Sequence, residues 1–73
     1  MQSNIRLELG QKIKILRTKR GLTQEQFAAE ADIDYKYLQR IEGKNPPDLG
    51  ITLIQKIAKA LKTTPSKLLE SKQ

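Results

Sequence analysis

The sequence contains no cysteine and no histidine. Without cysteine, neither a disulfide framework nor a thiolate zinc site is available to the chain. Without histidine, the chain lacks the usual general base of enzyme sites and the commonest protein metal ligand. Since 73 residues also leave little room for a catalytic pocket, we expect no metal, no cofactor, no small-molecule ligand and no enzymatic activity.

Long hydrophobic runs are also missing, because no apolar stretch approaches the ~20 residues that a membrane span needs. The first four residues, Met-Gln-Ser-Asn, lack the pattern of a signal peptide. We therefore predict a cytoplasmic protein with no membrane partner. The length leaves room for a single domain, expected over residues 1–73 with an ordered core at about 4–70.

The net charge of +6 is unevenly distributed along the chain. Residues 1–20 carry six basic residues against Glu8, and residues 46–73 carry five lysines against two acids. Residues 21–45 reverse the balance, with five acids against three basic residues. Basic flanks favour nucleic acid or an anionic membrane surface, because lysines and arginines that neutralise phosphates release counterions. A well-solvated surface accounts for the charge equally well, so charge alone leaves the question open.

Apolar residues recur at helical spacing along most of the chain, and no strand pattern or internal repeat is present. We predict an all-α domain of five helices, at roughly residues 4–20, 24–31, 35–42 and 51–62, with a short fifth helix from Pro65. The residues expected to face inward are Ile5, Leu9, Ile13, Leu16, Arg20, Phe27, Ala28, Ala31, Leu38, Ile41, Ile51, Ile54, Ile57, Ala58, Leu61, Leu68 and Leu69.

Local signals define the helix ends. Gly21 occupies the favoured position after the first helix. Thr23 and Gln26 form a capping box for the second helix, and Asp34 is a good N-cap for the third. The prolines within residues 43–47 predict a loop, because proline lacks an amide donor and disfavours helix before it.

Residues 24–41 have the features that a helix-turn-helix requires. Two short helices must cross through a tight turn so that the second can enter a groove about 12 Å wide. Ala28 is small enough for the crossing point. Asp32 tolerates the left-handed conformation of the turn, although glycine would be better there.

The sequence resembles the Cro/C1-type (XRE-like) helix-turn-helix family, which comprises phage repressors and many bacterial relatives, over about residues 7–70. The segments that carry the resemblance are Leu16-Arg17, Gly21-Leu22-Thr23-Gln24, Phe27-Ala28, Ile33, Tyr37-Leu38, Ile41-Glu42-Gly43, Ile57-Ala58-Lys59-Ala60-Leu61 and Leu68-Leu69. Within the family, Ile33-Asp34, Tyr37-Leu38 and Ile41-Glu42 resemble the small controller proteins of restriction–modification systems.

The resemblance implies a compact, five-helix, lambda-repressor-like domain that binds double-stranded DNA sequence-specifically and regulates transcription, in the cytoplasm and on the nucleoid. One recognition helix reads only a few base pairs, so a homodimer on a (pseudo)palindromic operator is the usual solution. Leu53, Leu68 and Leu69 are the residues expected at the dimer interface, with Ile15 as a further candidate.

The third helix is the recognition helix that the resemblance implies. Leu38 and Ile41 are expected to point inward, which leaves an outward face for contacts with DNA bases. That face consists of Tyr35, Lys36, Gln39 and Arg40. Lys36 and Arg40 have the donors that match the O6 and N7 acceptors of guanine.

Gln24 matches the family residue that binds a phosphate at the N-terminus of the second helix, which is an anion site in itself. We expect four further residues to contact phosphates: Thr23, Tyr37, Lys44 and Asn45. Two of these assignments have alternatives. Thr23 can cap its helix, which is compatible with a phosphate contact, and Tyr37 can instead pack against helix 2 or the loop.

Arg17 and Glu42 match a family pair that forms a structural salt bridge. Three positions depart from the family pattern. Asp32 replaces a turn glycine, Asp34 places an acid where Ser or Thr is common, and Gly50 stands where a Ser usually caps the fourth helix. The last change puts a phosphate contact from that helix in doubt.

The principal alternative is a protein-interaction module of the same fold, of the antitoxin or adaptor type. A protein-binding face on the third helix is expected to show a contiguous apolar patch. The outward Tyr, Lys, Gln and Arg instead suit base edges and phosphates, so we favour DNA as the partner.

Overall fold

Five helices make up the regular structure of residues 4–70, the part of the chain that this computed structural model describes. In chain order they are α1 (Ile5–Lys19), α2 (Gln24–Ala31), α3 (Tyr35–Ile41), α4 (Ile51–Ala60) and α5 (Pro65–Leu69). The predicted all-α fold and its helix order are confirmed, and each predicted end lies within two residues of the observed one. Residues 1–3 and 71–73, which the single-domain prediction includes, lie outside the described residues.

Every helix contributes at least one side chain to a single hydrophobic core. The largest fully buried side chains are Ile13, Phe27, Leu38, Ile41, Ile57 and Leu68. Helix α2 packs against α3 and α4, while α1 packs against α3 and α5. Helix α3 is therefore held by two other helices, α1 and α2.

Three residues that were expected to face inward are exposed. Ile5 is 56% exposed, Ile51 is 79% exposed and Leu69 is 37% exposed. Ile5 and Ile51 are the first residues of α1 and α4. Because side chains in a helix lean towards its N-terminus, such residues project past the edge of the core. Leu69 ends α5 immediately after Leu68, which takes the buried position.

The predicted caps form the starts of α2 and α3. The Thr23 hydroxyl accepts from the Gln26 amide at 3.1 Å, and the Gln26 side chain accepts from the Thr23 amide at 2.9 Å. The Asp34 carboxylate accepts from the Tyr37 amide at 3.0 Å. These bonds satisfy helix donors that would otherwise lack partners.

A three-residue turn joins α2 to α3. Asp32 adopts the left-handed conformation with φ 59° and ψ 49°, as the tight turn requires. The Ile33 amide then donates to the Ala28 carbonyl at 2.9 Å and closes the end of α2. Because the turn is this short, α3 must cross α2 rather than extend away from it.

Gly10 allows α1 and the end of α3 to approach each other closely. A Cβ built at Gly10 would overlap the carbonyl oxygen of Ile41, and it would lie 3.7 Å from the Cα of Glu42. Glycine in a helix interior is unfavourable by up to about 1 kcal/mol relative to alanine. The close approach, which no local sequence pattern indicates, explains why glycine is present here.

No helix within residues 4–70 combines the length and the apolar character that crossing a bilayer requires.

Candidate nucleic-acid interface

Helix α3 has one buried side and one exposed side. Leu38 and Ile41 are 0% and 1% exposed, as predicted. The exposed residues of α3 are Tyr35, Lys36, Gln39 and Arg40, which are the four residues predicted to contact bases. They form two stripes with a spacing of four residues, a neutral stripe of Tyr35 and Gln39 and a cationic stripe of Lys36 and Arg40.

Two side chains of this face, Gln39 and Arg40, each contact a tyrosine of α3. The Gln39 Nε2 donates to the Tyr35 hydroxyl at 3.2 Å. The Arg40 guanidinium carbon lies 5.7 Å from the centroid of the Tyr37 ring, within the range of a cation–π contact. Contacts of this kind restrict the orientations that the two long side chains sample.

Tyr37 connects α3 to the loop at residues 43–50. It is half-buried and packs against the hydrophobic core. Its hydroxyl donates to the carbonyl oxygen of Asp48 at 3.4 Å. The structure therefore gives Tyr37 the packing role left open above, and its phosphate contact stays a prediction.

Arg17 and Glu42 form a buried ion pair between α1 and the C-cap of α3. The Arg17 Nε lies 2.8 Å from Glu42 Oε2, and its Nη2 lies 2.9 Å from Oε1. The side chains are only 8% and 2% exposed. A further donor of Arg17, Nη1, binds the Leu22 carbonyl at 2.7 Å. The two bonds to Glu42 form a bidentate pair, which is the strongest kind of arginine–carboxylate contact.

The same carboxylate also holds Gln24, the first residue of α2. Gln24 Nε2 donates to Glu42 Oε1 at 2.9 Å. Gln24 is half-buried, while its neighbour Thr23 is exposed and occupied in the capping box. The start of α2 and the end of α3 are thus linked through one buried charge.

Two predicted phosphate contacts and two departures from the family pattern lie next to α3 or α4. Lys44 and Asn45 are exposed in the segment after α3. Asp34 is exposed and serves as the N-cap of α3. Gly50 caps α4 without a side-chain hydrogen bond, so α4 has no side-chain cap of its own.

An apolar groove lies between α1 and α5. Its exposed apolar side chains are Ile5, Ile15 and Leu69. Lys12, at the same groove, donates from Nζ to the carbonyl oxygens of Lys67 and Glu70 at 3.1 and 2.9 Å. These bonds hold the last turn of α5 against α1.

The structure changes the expectation for the dimer interface. Leu68 is 2% exposed and belongs to the core of the single chain, so it is not available to a second copy in this form. Leu53 is half-buried against the core. Of the three predicted interface residues, Leu69 presents the most accessible surface.

Within residues 4–70, no three His, Cys, Asp or Glu residues are grouped as a metal site would require.

A short helix, a three-residue turn and a second short helix with a polar, partly cationic exposed face define a helix-turn-helix DNA-binding domain. Comparison with known proteins agrees, since a family profile described as helix-turn-helix matches residues 13–68. The chain belongs to this family of DNA-binding transcriptional regulators.

Relatives in the family include controller proteins. The control protein C.BamHI of Bacillus amyloliquefaciens is 38% identical over 71 residues, which is 96% of this chain and 86% of that protein. The restriction–modification controller protein C.AhdI of Aeromonas hydrophila is 32% identical, with a TM-score of 0.78 over 85% of this chain and 92% of that one. The predicted family and its resemblance to controller proteins are confirmed.

A structure of the biofilm master regulator SinR in complex with DNA has the same fold. It is 27% identical, with a TM-score of 0.80 over 85% of this chain and 98% of that chain.

Proposed function

We propose that the protein regulates transcription by inserting α3 into the major groove of an operator in double-stranded DNA. The observation that carries the proposal is the division of α3 into two sides. Burial of Leu38 and Ile41 fixes the helix to the body of the domain and leaves four polar side chains projecting from it. A helix held in this way can present side chains to base edges with little loss of conformational entropy on binding.

The cationic stripe suits guanine. Lys36 and Arg40 carry donors and no acceptor, and guanine presents the two acceptors O6 and N7 in the major groove. The contact with the Tyr37 ring restricts the motion of the Arg40 guanidinium, while Arg40 as a whole stays exposed. Arg40 is therefore the residue to which we assign the largest share of base discrimination.

Contacts with phosphates would fix the register of α3 on the duplex. Thr23 and Gln24 stand at the positive end of the α2 dipole, and Lys44 and Asn45 lie in the loop that follows α3. We assign these four residues and Tyr37 to the DNA backbone. The net charge of +6 favours the same partner through counterion release.

We further propose that two copies bind together, each reading one half of an inverted repeat. The exposed apolar side chains Ile5, Ile15 and Leu69 surround one groove and offer a surface that a second copy can cover. A two-fold pair would place its recognition helices about 34 Å apart, one turn of the double helix. On chromosomal operators the dimer would be part of the nucleoid.

The alternative of a protein-interaction module predicts an apolar patch on α3. The exposed residues of α3 are instead polar or aromatic with a hydroxyl, and the apolar groove lies between α1 and α5. This distribution favours DNA at α3 and a second copy at the groove.

Substitution Arg40→Ala tests the assignment of base reading. We expect it to lower the preference for one base pair of the operator by about 1–3 kcal/mol and to leave the melting temperature unchanged, because the side chain is exposed. The measurement is binding to the operator and to duplexes in which each base pair is replaced in turn.

The matched control is Lys59→Ala, which removes the same charge from an exposed position of α4. It should weaken all duplexes alike, if it weakens any. A lowered melting temperature for Arg40→Ala with an unchanged base preference would show that the role given to Arg40 is wrong.

A further inference from the structure

The neutral stripe of α3 contains a preformed pair of side chains. Tyr35 and Gln39 lie one helical turn apart on the exposed side, and Gln39 Nε2 donates to the Tyr35 hydroxyl at 3.2 Å. Residues four apart on a helix are neighbours, so this contact needs no change in the backbone. The pair is part of the same face as Lys36 and Arg40, which the proposed function places in the major groove.

The four exposed side chains of α3 differ in whether they can accept a hydrogen bond. Lysine and arginine are donors only, so Lys36 and Arg40 cannot receive a hydrogen bond from a base. Adenine presents an acceptor at N7 beside a donor at N6 in the major groove. To bind both atoms at once, a side chain must offer an acceptor and a donor in one plane. On the exposed side of α3, the carboxamide of Gln39 is the group that does so.

The bond to Tyr35 leaves those two groups of Gln39 available. A carboxamide has two N–H bonds and one carbonyl oxygen. The tyrosine hydroxyl receives one N–H, so the other N–H and Oε1 remain free for a base. In this structure the nitrogen end of the carboxamide faces the Tyr35 hydroxyl. The contact limits the orientations of the group before DNA arrives, which reduces the entropy lost on binding.

We propose that Gln39 reads an adenine in each half of the operator, and that Tyr35 is the positioning residue that orients it. Oε1 accepts from the adenine N6 amino group, and the free Nε2–H donates to N7. The neutral stripe then selects adenine while the cationic stripe selects guanine. This inference rests on the proposed function, because it requires α3 to lie in the major groove.

Three variants test the inference: Gln39→Ala, Gln39→Glu and Tyr35→Phe. Each is assayed against the duplex that the wild-type protein selects from a random library and against duplexes carrying the other three base pairs at every position. Ratios of affinity are compared, so that a general change in binding caused by altered charge cancels. Thermal melting serves as the folding control, and it should not change because both side chains are exposed.

We expect Gln39→Ala to lower the preference for adenine about 5- to 150-fold at one base pair of each half-site and to leave the other positions unaffected. Tyr35→Phe keeps the ring and removes the hydroxyl, so it should lower the preference at that same base pair. Gln39→Glu should shift the preference there from adenine to cytosine, because a carboxylate accepts from the cytosine N4 amino group.

Three results would overturn the inference while the proposed function stands. In the first, the wild type selects an operator and Gln39→Ala changes no ratio. In the second, Gln39→Ala changes the preference only at a base pair that does not contain adenine. In the third, Tyr35→Phe leaves the adenine ratio intact or changes a different base pair, which removes the positioning role. A wild-type protein that prefers no sequence would overturn the proposed function and this inference together.

Discussion

The variant Gly10→Ala is expected to lower the free energy of unfolding by about 3 kcal/mol, at the upper end of the usual range for overpacking a core. The added methyl group would overlap the Ile41 carbonyl oxygen, which is backbone and cannot move aside as a flexible side chain could. Alanine is the better helix former by up to about 1 kcal/mol, but that gain is smaller than the expected clash. Urea denaturation followed by circular dichroism measures the change.

The control is Gly50→Ala, at a glycine with nothing within 4 Å of the added Cβ. Because Gly50 is the N-cap of α4, we expect a change of less than about 1 kcal/mol. If Gly10→Ala were as stable as Gly50→Ala, α1 and the end of α3 could not be as close as described, and the placement of α3 would be wrong.

The variant Arg17→Met is expected to lower the free energy of unfolding by about 3–5 kcal/mol, because it leaves the Glu42 carboxylate buried without its cation. The Glu42 side chain is 2% exposed, so water cannot replace the lost guanidinium. The Leu22 carbonyl loses its donor as well. Methionine keeps an apolar side chain of similar length, which limits the effect to the lost charge and hydrogen bonds.

Arg6→Met is the matched control, since Arg6 pairs with Asp48 at 3.6 Å and the two side chains are 54% and 87% exposed. An exposed pair contributes about 0–1 kcal/mol, so this variant should be nearly neutral. The double variant Arg17→Met with Glu42→Leu should recover part of the loss, because no unpaired charge remains buried. Equal stability of Arg17→Met and Arg6→Met would contradict the burial of the pair.

The helix ends were predictable because their signals are local. Thr23 and Asp34 each bind an amide three residues away, and Gly21 adopts a positive φ immediately after the C-cap of α1. Such contacts are decided within a few residues of sequence. The inward positions of Leu38 and Ile41 followed from their spacing for the same reason, and they determined which side of α3 is exposed.

Features that depend on distant parts of the chain were not predicted from the local pattern, and the Arg17–Glu42 pair was expected only because of the family resemblance. Periodicity placed Ile5 and Ile51 on apolar stripes, but it does not reveal where the neighbouring helix ends. The contact between Gln24 and Glu42 joins residues 18 positions apart, and nothing in the local pattern indicates it. Two signals were present and not used: a glycine within α1, at Gly10, and the four-residue spacing of a hydrogen-bonding pair on α3.

The most direct test of the central claim, that the exposed side of α3 reads base sequence in DNA, is selection by the wild-type protein from a library of random duplexes. We expect enrichment of an inverted repeat whose half-sites are about 34 Å apart, with affinity that falls as salt concentration rises. Recovery of no preferred sequence, together with binding that does not respond to salt, would contradict it.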